Sequence, residues 1–256
     1  MKKYPYFSIG VLLFALVSVC AAQAQNEITL IGPNIIDMPV KELLPRFEEK
    51  TGRKVNATFG AVVATKDRII GGEPVDVALV EVPYDSEAIK SGNVVPQSAT
   101  PIANVSIGVA IHKGASRPDI SSAEAVKRLL LGAKSISYPD PSKGAAAGIS
   151  VVEALKKLGI AEEMQPKTKL SQGGARAMAM VASGDAEVGL TFLPGMTNPA
   201  IEVLGALPRD VSPPTVVIGF VSTKAKDPAG AKQLLDYLTS EDAAAVYKAQ
   251  RFQPGR

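Results

Sequence analysis

Short apolar runs alternate along the chain with stretches whose apolar residues recur about every 3.6 positions, and this alternation limits the possible folds most strongly. Ile28–Ile31 predicts a first strand, the segment from Asp37 to Gly52 a helix, and Val55–Phe59 a second strand. The same alternation continues through most of the chain. Strand–helix–strand repetition is typical of α/β folds with parallel strands joined by right-handed crossovers. We therefore predict an α/β fold.

The remaining elements are predicted from the same patterns. The predicted strands are Val75–Val80, Val105–Ile111, Ser135–Tyr138, Val188–Leu193, Val203–Leu207 and Thr215–Val221, and the predicted helices are Ala61–Ile70, Ile149–Leu158, Ala175–Ala182, Pro228–Leu238 and Glu241–Gln250. A further helix is predicted after a capping box formed by Ser121 and Glu124. Val105–Ile111 and Thr215–Val221 are both strongly apolar, and we expect these two strands to connect two lobes.

Residues 1–24 have the features of a cleavable secretory signal peptide. Two lysines precede the uncharged apolar stretch Phe7–Val19, and Ala22-Gln23-Ala24 supplies a small-x-small cleavage site. The apolar stretch is shorter than the about 20 residues that a membrane-spanning helix needs. We therefore predict a periplasmic protein whose mature chain is not inserted into a membrane. A lipoprotein acylated at Cys20 is the less favoured alternative, because Val17 and Val19 replace the small residues that normally precede such a cysteine.

The composition of the mature chain excludes several classes of function. Removing residues 1–24 lowers the number of Lys and Arg residues from 28 to 26 against 25 Asp and Glu, which leaves a net charge of +1. Nucleic acids and anionic membranes are therefore not expected as partners. His112 is the single histidine, and the mature chain has no cysteine. Hydrolytic triads and metal sites are accordingly not expected, and neither is a cofactor. We expect a monomer.

Three loops place small residues directly before predicted helices. They are Phe59-Gly60-Ala61, Gly144–Gly148 and Gly173-Gly174. The first N–H groups of a helix have no partner within the helix and carry a partial positive charge, so several helix starts at one cleft can bind an anion without Lys or Arg. Ligands of open α/β sheets lie beyond the carboxyl ends of the strands, where these loops are predicted. We therefore predict an anion site formed by helix starts.

Several segments resemble one known family. Asp140-Pro141, followed by Ala146-Ala147-Gly148 and the helix segment Glu153–Gly159, is similar to a motif of molybdate-type periplasmic substrate-binding proteins of ABC transporters. Tyr237-Leu238, Tyr247 and Phe252 near the C-terminus match the same family. The resemblance implies two α/β lobes of the type II binding-protein fold, with mixed sheets flanked by helices and a ligand cleft between the lobes. It places residues 25–104 and 216–256 in lobe I and residues 105–215 in lobe II.

The ligand-binding positions differ from those of the family. Asn34-Ile35 stands where the family has a serine, Ala61-Val62-Val63 replaces a run of serines, and Phe192 replaces a tyrosine. Three hydroxyl donors are therefore missing, and each unpaired bond to a buried oxyanion costs roughly 1–3 kcal/mol. The family's backbone donors are retained at Ala147 and near Gly174. These differences favour a larger or partly apolar anion, such as a carboxylate, over molybdate.

These observations predict a solute-binding protein, not an enzyme. We expect it to capture a small oxyanion or carboxylate and to deliver it to an ABC transporter permease. Arg176 follows Gly173-Gly174 and is a candidate for a forked contact to a carboxylate. Molybdate binding, a ligand sensor for a membrane receptor and, less favoured, a periplasmic enzyme remain alternatives. The predicted ligand-binding residues are Asn34, Ile35, Gly60, Ala61, Val62, Ala147, Gly148, Gly174, Arg176, Thr191 and Phe192.

Overall fold

The computed structural model describes residues 27–255, so the predicted signal peptide and Cys20 lie outside the described residues. The strands are β1 Glu27–Pro33, β2 Lys54–Gly60, β3 Val77–Glu81, β4 Thr100–Val105, β5 Ile107–His112, β6 Ile136–Pro139, β7 Thr168–Ser171, β8 Val188–Phe192, β9 Ile201–Ala206, β10 Thr215–Val221 and β11 Gln253–Pro254. The helices are α1 Asp37–Thr51, α2 Val62–Ile70, α3 Asp85–Lys90, α4 Ala123–Gly132, α5 Ala146–Lys157, α6 Ala161–Met164, α7 Gly174–Ala182, α8 Pro228–Leu238 and α9 Glu241–Ala249.

The strands form two separate sheets, one in each lobe. Lobe I contains the six-stranded sheet in the order β11-β4-β10-β3-β1-β2, and lobe II contains the five-stranded sheet in the order β7-β6-β8-β5-β9. Both sheets are mixed: β1 pairs with β2 and β3 in parallel, and β10 pairs with β3 and β4 antiparallel. In lobe II, β6 is parallel to β7 and β8, while β5 is antiparallel to β8 and β9. The predicted mixed α/β fold with two lobes is confirmed.

The chain passes from lobe I to lobe II at Ser106. Val105 ends β4 and pairs with Thr215, whereas Ile107 begins β5 and pairs with Phe192. The prediction of one continuous strand over Val105–Ile111 is therefore wrong. Val105 and Ile107 are both buried on either side of the buried Ser106, so the pattern of burial does not reveal the change of sheet. The chain returns to lobe I between the end of β9 and the start of β10.

Each lobe has its own apolar core on both faces of its sheet. In lobe I, helices α1, α8 and α9 bury residues such as Phe47, Leu235 and Tyr247 on one face, and Ile69 packs on the other. In lobe II, α4 and α5 cover one face of the sheet with residues such as Leu155, and α7 covers the other. Two rigid layered lobes therefore hold the helix starts that lie between them.

Two predicted helix boundaries are corrected by the structure. Helix α5 begins at Ala146, not at Ile149, so Ala147 and Gly148 belong to its first turn. The cap of α4 is Ser122, whose hydroxyl accepts a hydrogen bond from the N–H of Ala125 at 3.2 Å, so Ser121 is not the capping residue. A serine precedes the helix in either register, and the sequence alone does not distinguish the two. None of the described helices is long and apolar enough to cross a membrane.

Candidate functional site

A cleft of about 760 Å³ lies between the two lobes. Its volume is within the range of about 300–1,000 Å³ that is typical of small-molecule sites. Lobe I lines it with Asn34, Ile35, Asp37, Met38, Ala61, Val62, Glu81 and Phe252, and lobe II lines it with Pro139, Asp140, Lys143–Ala147, Leu170–Ala175, Thr191, Phe192, Pro194 and Gly195. The cleft is the candidate functional site.

Four helix starts meet at this cleft without a capping side chain. Among the helices of eight or more residues within residues 27–255, no side chain caps the N-termini of α1, α2, α5 and α7, and residues at each of these starts line the cleft. The other three, α4, α8 and α9, are capped by Ser122, Asp227 and Ser240. At α1 the N–H of Asp37 already donates to the carbonyl of Asn34 in the 3₁₀ turn that leads into the helix. The uncapped N–H groups of α2, α5 and α7 remain available at the cleft, where they favour a negatively charged ligand.

Two glycines allow the helix starts of lobe II to pack closely on the strands behind them. A Cβ atom at Gly148 would overlap the backbone carbonyl of Pro139, and a Cβ atom at Gly174 would lie 2.5 Å from the hydroxyl of Thr191. Gly173, the residue before α7, has a φ of +90°, which favours glycine. These close contacts fix the first turns of α5 and α7 relative to β6 and β8.

Apolar side chains cover much of the remaining cleft surface. Ile35, Met38 and Val62 line it from lobe I, and Phe192 lines it from lobe II. Phe192 packs against the cores of both lobes and therefore lies where the two lobes meet. A site with this lining suits a ligand that has a carbon skeleton as well as a negative charge.

Charged side chains around the cleft do not by themselves attract an anion. Asp37, Glu81 and Asp140 line it together with Lys143. Asp37 forms an ion pair with Lys41 at 3.0 Å. The hydroxyl and backbone N–H of Ser142 donate hydrogen bonds that lower the pKa of Asp140. The attraction for an anion must therefore come mainly from the helix starts.

Glu81 was missed by the sequence analysis. It ends β3, lines the cleft and has only 4% of its surface exposed. Burial raises the pKa of its carboxyl group from 4.5 to about 7, because burial disfavours the charged form. The predicted strand ended at Val80, one residue too early. An acidic residue that ends an otherwise apolar strand is the signal that marks this position.

The predicted ligand-binding residues fall into two groups. Residues that line the cleft are Asn34, Ile35, Ala61, Val62, Ala147, Gly174, Thr191 and Phe192. Gly60, Gly148 and Arg176 do not line it: Gly60 precedes the helix start, Gly148 packs behind it, and the Arg176 side chain is exposed. Val63 is not among the lining residues either: it is 36% exposed, and its side chain lies beside Gly144 of lobe II.

The structure adds further lining residues that the sequence analysis did not name. Besides Glu81, these include Met38, Lys143 and Ser171, whose hydroxyl donates a hydrogen bond to the carbonyl of Gly173 at 3.0 Å. Over residues 27–255, no group of three or more His, Cys, Asp or Glu side chains is arranged to hold a metal ion.

Comparison with known proteins shows similarity over nearly the whole chain. The chain is 31% identical to the molybdate-binding protein ModA of Azotobacter vinelandii, over 95% of this chain and 97% of that protein. It is 27% identical to an aconitate isomerase of a Pseudomonas species, over 98% of this chain and 97% of that protein. Binding proteins and a protein named as an enzyme therefore both occur among its relatives.

A solved structure has the same fold. The substrate-binding domain of a putative molybdenum ABC transporter from Clostridium difficile aligns with a TM-score of 0.76 at 16% identity, covering 89% of this chain and 98% of that one. The family model described as bacterial extracellular solute-binding protein matches residues 28–253. The chain belongs to this family of solute-binding proteins.

Proposed function

We propose that this protein is a periplasmic binding protein that captures a carboxylate anion in the cleft and delivers it to an ABC transporter permease. The observation that carries the proposal is that the uncapped starts of α2, α5 and α7 meet at a cleft whose other walls are largely apolar. The helix starts supply N–H donors for the carboxylate groups, and the apolar walls contact the carbon skeleton.

The lining favours a carboxylate over a tetrahedral oxyanion. Ile35, Val62 and Phe192 contribute no hydroxyl to the cleft, and Thr191 is the buried hydroxyl beside Gly174. A bound molybdate would therefore have few side-chain donors and would leave much of the cleft unfilled. An organic acid with several carboxylate groups can bind the helix starts through its carboxylates and contact the apolar walls through its carbon skeleton. The relative named as an aconitate isomerase supports this choice, because aconitate is an unsaturated tricarboxylate.

The proposed location follows from the signal peptide features of residues 1–24 and from membership of an extracellular family. A two-lobed protein closes on its ligand by a movement of the lobes, and the permease then recognises the closed form. Delivery to a permease is supported by the similarity to molybdate-binding proteins along nearly the full chain.

Calorimetry of protein purified from the periplasm tests the proposal. Molybdate, sulfate, succinate, citrate and cis-aconitate are titrated separately, and each ligand is recovered and identified after the titration. We expect binding of at least one carboxylate with a Kd of about 1 μM or below. Molybdate binding in that range without carboxylate binding would contradict the proposal.

A further inference from the structure

Two buried carboxyl groups mark the two ends of β3, and they differ sharply in their contacts. Asp76 directly precedes β3 and is 1% exposed. Its carboxylate accepts hydrogen bonds from the N–H and hydroxyl of Thr29, at 2.8 and 2.7 Å, and from the N–H groups of Lys226 and Asp227, at 2.6 and 3.2 Å. These four bonds account for the burial of Asp76 as a structural feature.

Glu81, at the cleft end of the same strand, has no comparable partners. Within the described chain, no hydrogen bond or ion pair involves its carboxyl group, and burial is the sole cause of its raised pKa. Its oxygens are not among the fully enclosed polar atoms that lack partners, and Glu81 lines the cleft as well as two smaller cavities beside it. A buried carboxyl group without structural partners that faces a ligand cleft is a candidate for proton transfer.

Several other ionisable groups lie near Glu81. Asp37, Asp140 and Lys143 share the cleft with it, and Lys66, Tyr84, Glu153 and Lys157 line the two smaller cavities that it also borders. Asp37 is paired with Lys41, Asp140 accepts hydrogen bonds from Ser142, and Lys66 is paired with Asp67 and Glu87. Glu81 is the deeply buried member of this set.

We propose that Glu81 transfers a proton between two carbon atoms of a bound unsaturated carboxylic acid, so that the cleft catalyses an allylic isomerisation. This inference rests on the carboxylate ligand proposed above. The substrate class is an acid whose CH₂ group lies between a carboxylate and a carbon–carbon double bond, because that C–H bond is the most acidic one in such a molecule.

The step balances without an oxidant, a reductant or a cofactor. The Glu81 carboxylate takes a proton from the CH₂ carbon, and the electron pair of that C–H bond forms a new double bond to the central carbon. The electron pair of the old double bond moves to the far carbon, which receives the proton back from Glu81. The product is the acid with its double bond shifted by one position, and either geometry is accessible at the new double bond.

The cleft supplies what this reaction needs. Negative charge spreads onto the carboxylate oxygens of the intermediate, and the uncapped starts of α5 and α7 place N–H donors where such oxygens bind. The raised pKa makes Glu81 a stronger base than an exposed glutamate while a large fraction of it stays ionised near neutral pH.

Proton NMR in D₂O tests the inference with cis-aconitate as the probe. We expect the wild-type protein to convert cis-aconitate to trans-aconitate or to exchange its CH₂ protons for deuterium, at a rate well above that of buffer. Glu81→Gln is expected to lower this rate by about 100-fold or more while the Kd for the acid changes much less. Glu81→Asp, which retains the acid, is expected to keep part of the activity.

Glu163→Gln, on the exposed surface of α6, is the matched control and is expected to match the wild type. The wild-type rate should also rise with pH as Glu81 ionises, with a midpoint at or above about 7. Binding of cis-aconitate without conversion or exchange overturns the inference and leaves the proposed function intact. Equal rates for the wild type and Glu81→Gln overturn it as well. Failure to bind any carboxylate contradicts the proposed function itself.

Discussion

Lobe II meets the cleft with two runs of small residues in addition to larger side chains such as Phe192, whereas lobe I meets it mainly with larger side chains. The helix starts of lobe II present Gly144–Ala147 and Gly173–Ala175, where an anion can approach the N–H groups closely. Lobe I presents Ile35, Val62 and Glu81. The comparison indicates that the two lobes have different roles. Lobe II binds the charged groups of the ligand, whereas lobe I determines which ligand fits and supplies the carboxyl group proposed to transfer a proton.

The largest effect is expected from Gly148→Ala in lobe II. The added Cβ atom would overlap the backbone carbonyl of Pro139, which cannot move without displacing β6 or α5. We expect a loss of about 3 kcal/mol or more in the free energy of unfolding, measured by urea denaturation. The matched control is Gly132→Ala in α4, where nothing lies within 4 Å of the new atom. If both variants lost a similar amount of free energy of unfolding, the loss in Gly148→Ala could not be attributed to the close packing between α5 and Pro139.

Glu81→Gln in lobe I is expected to remove a pH dependence of stability. In the folded state, burial raises the pKa of Glu81 from 4.5 to about 7. The contribution of this group to the free energy of unfolding is therefore fully present below pH 4.5 and is lost as the pH rises through about 7. The loss in the wild type amounts to about 3 kcal/mol at alkaline pH. Urea denaturation at about pH 5 and pH 9 measures it. If the free energy of unfolding changed with pH in the same way in the wild type and in Glu81→Gln, the raised pKa of Glu81 would be contradicted.

A smaller effect is expected from Val62→Ser, which changes the apolar wall of lobe I. Val62 lines the cleft and is 6% exposed, so a bound carbon skeleton loses apolar contact worth about 1 kcal/mol, or about five-fold in Kd. The control is Val55→Ser, because Val55 lies in β2 of the same lobe and does not line the cleft. Equal changes in the two variants, measured by calorimetry with the bound carboxylate, would argue against this role of the lobe I wall.

Arg176→Ala is expected to have the smallest effect. Its side chain is exposed and lies outside the cleft, although it belongs to the first turn of α7. We expect the Kd of the carboxylate to change by less than about two-fold, because an exposed charge is strongly screened by salt and water. A ten-fold loss of affinity in the same titration would show that lobe II also uses side-chain charge.

The sequence was sufficient to predict the α/β fold and the loops that precede the helix starts at the cleft, although α5 begins three residues earlier than predicted. Periodic apolar patterns reflect burial on one face of each element, and small residues before Val62, Ala146 and Gly174 mark loops that lie close to a ligand. These signals are local, so they can be recognised without knowledge of the tertiary structure.

Other features depend on contacts between distant segments and could not be predicted. The change of sheet is accompanied only by the single polar residue Ser106 between Val105 and Ile107, and one serine does not distinguish a change of sheet from a continuous strand. The burial of Glu81 results from packing between β3, β10 and the helix starts, and nothing adjacent to it in sequence reveals that its carboxyl group lacks partners. The outward direction of Arg176 depends on the exact residue at which α7 begins.

The number of protons taken up on ligand binding tests most directly whether the two lobes have these different roles. Calorimetry of cis-aconitate binding near pH 7.5, in buffers of different ionisation enthalpy, measures the number of protons taken up. A carboxylate held by the helix starts of lobe II brings negative charge next to Glu81 of lobe I and raises its pKa further. We predict that the wild type takes up a fraction of a proton, and that Glu81→Gln takes up none beyond the ligand's own contribution. Identical uptake by the two proteins would contradict the account.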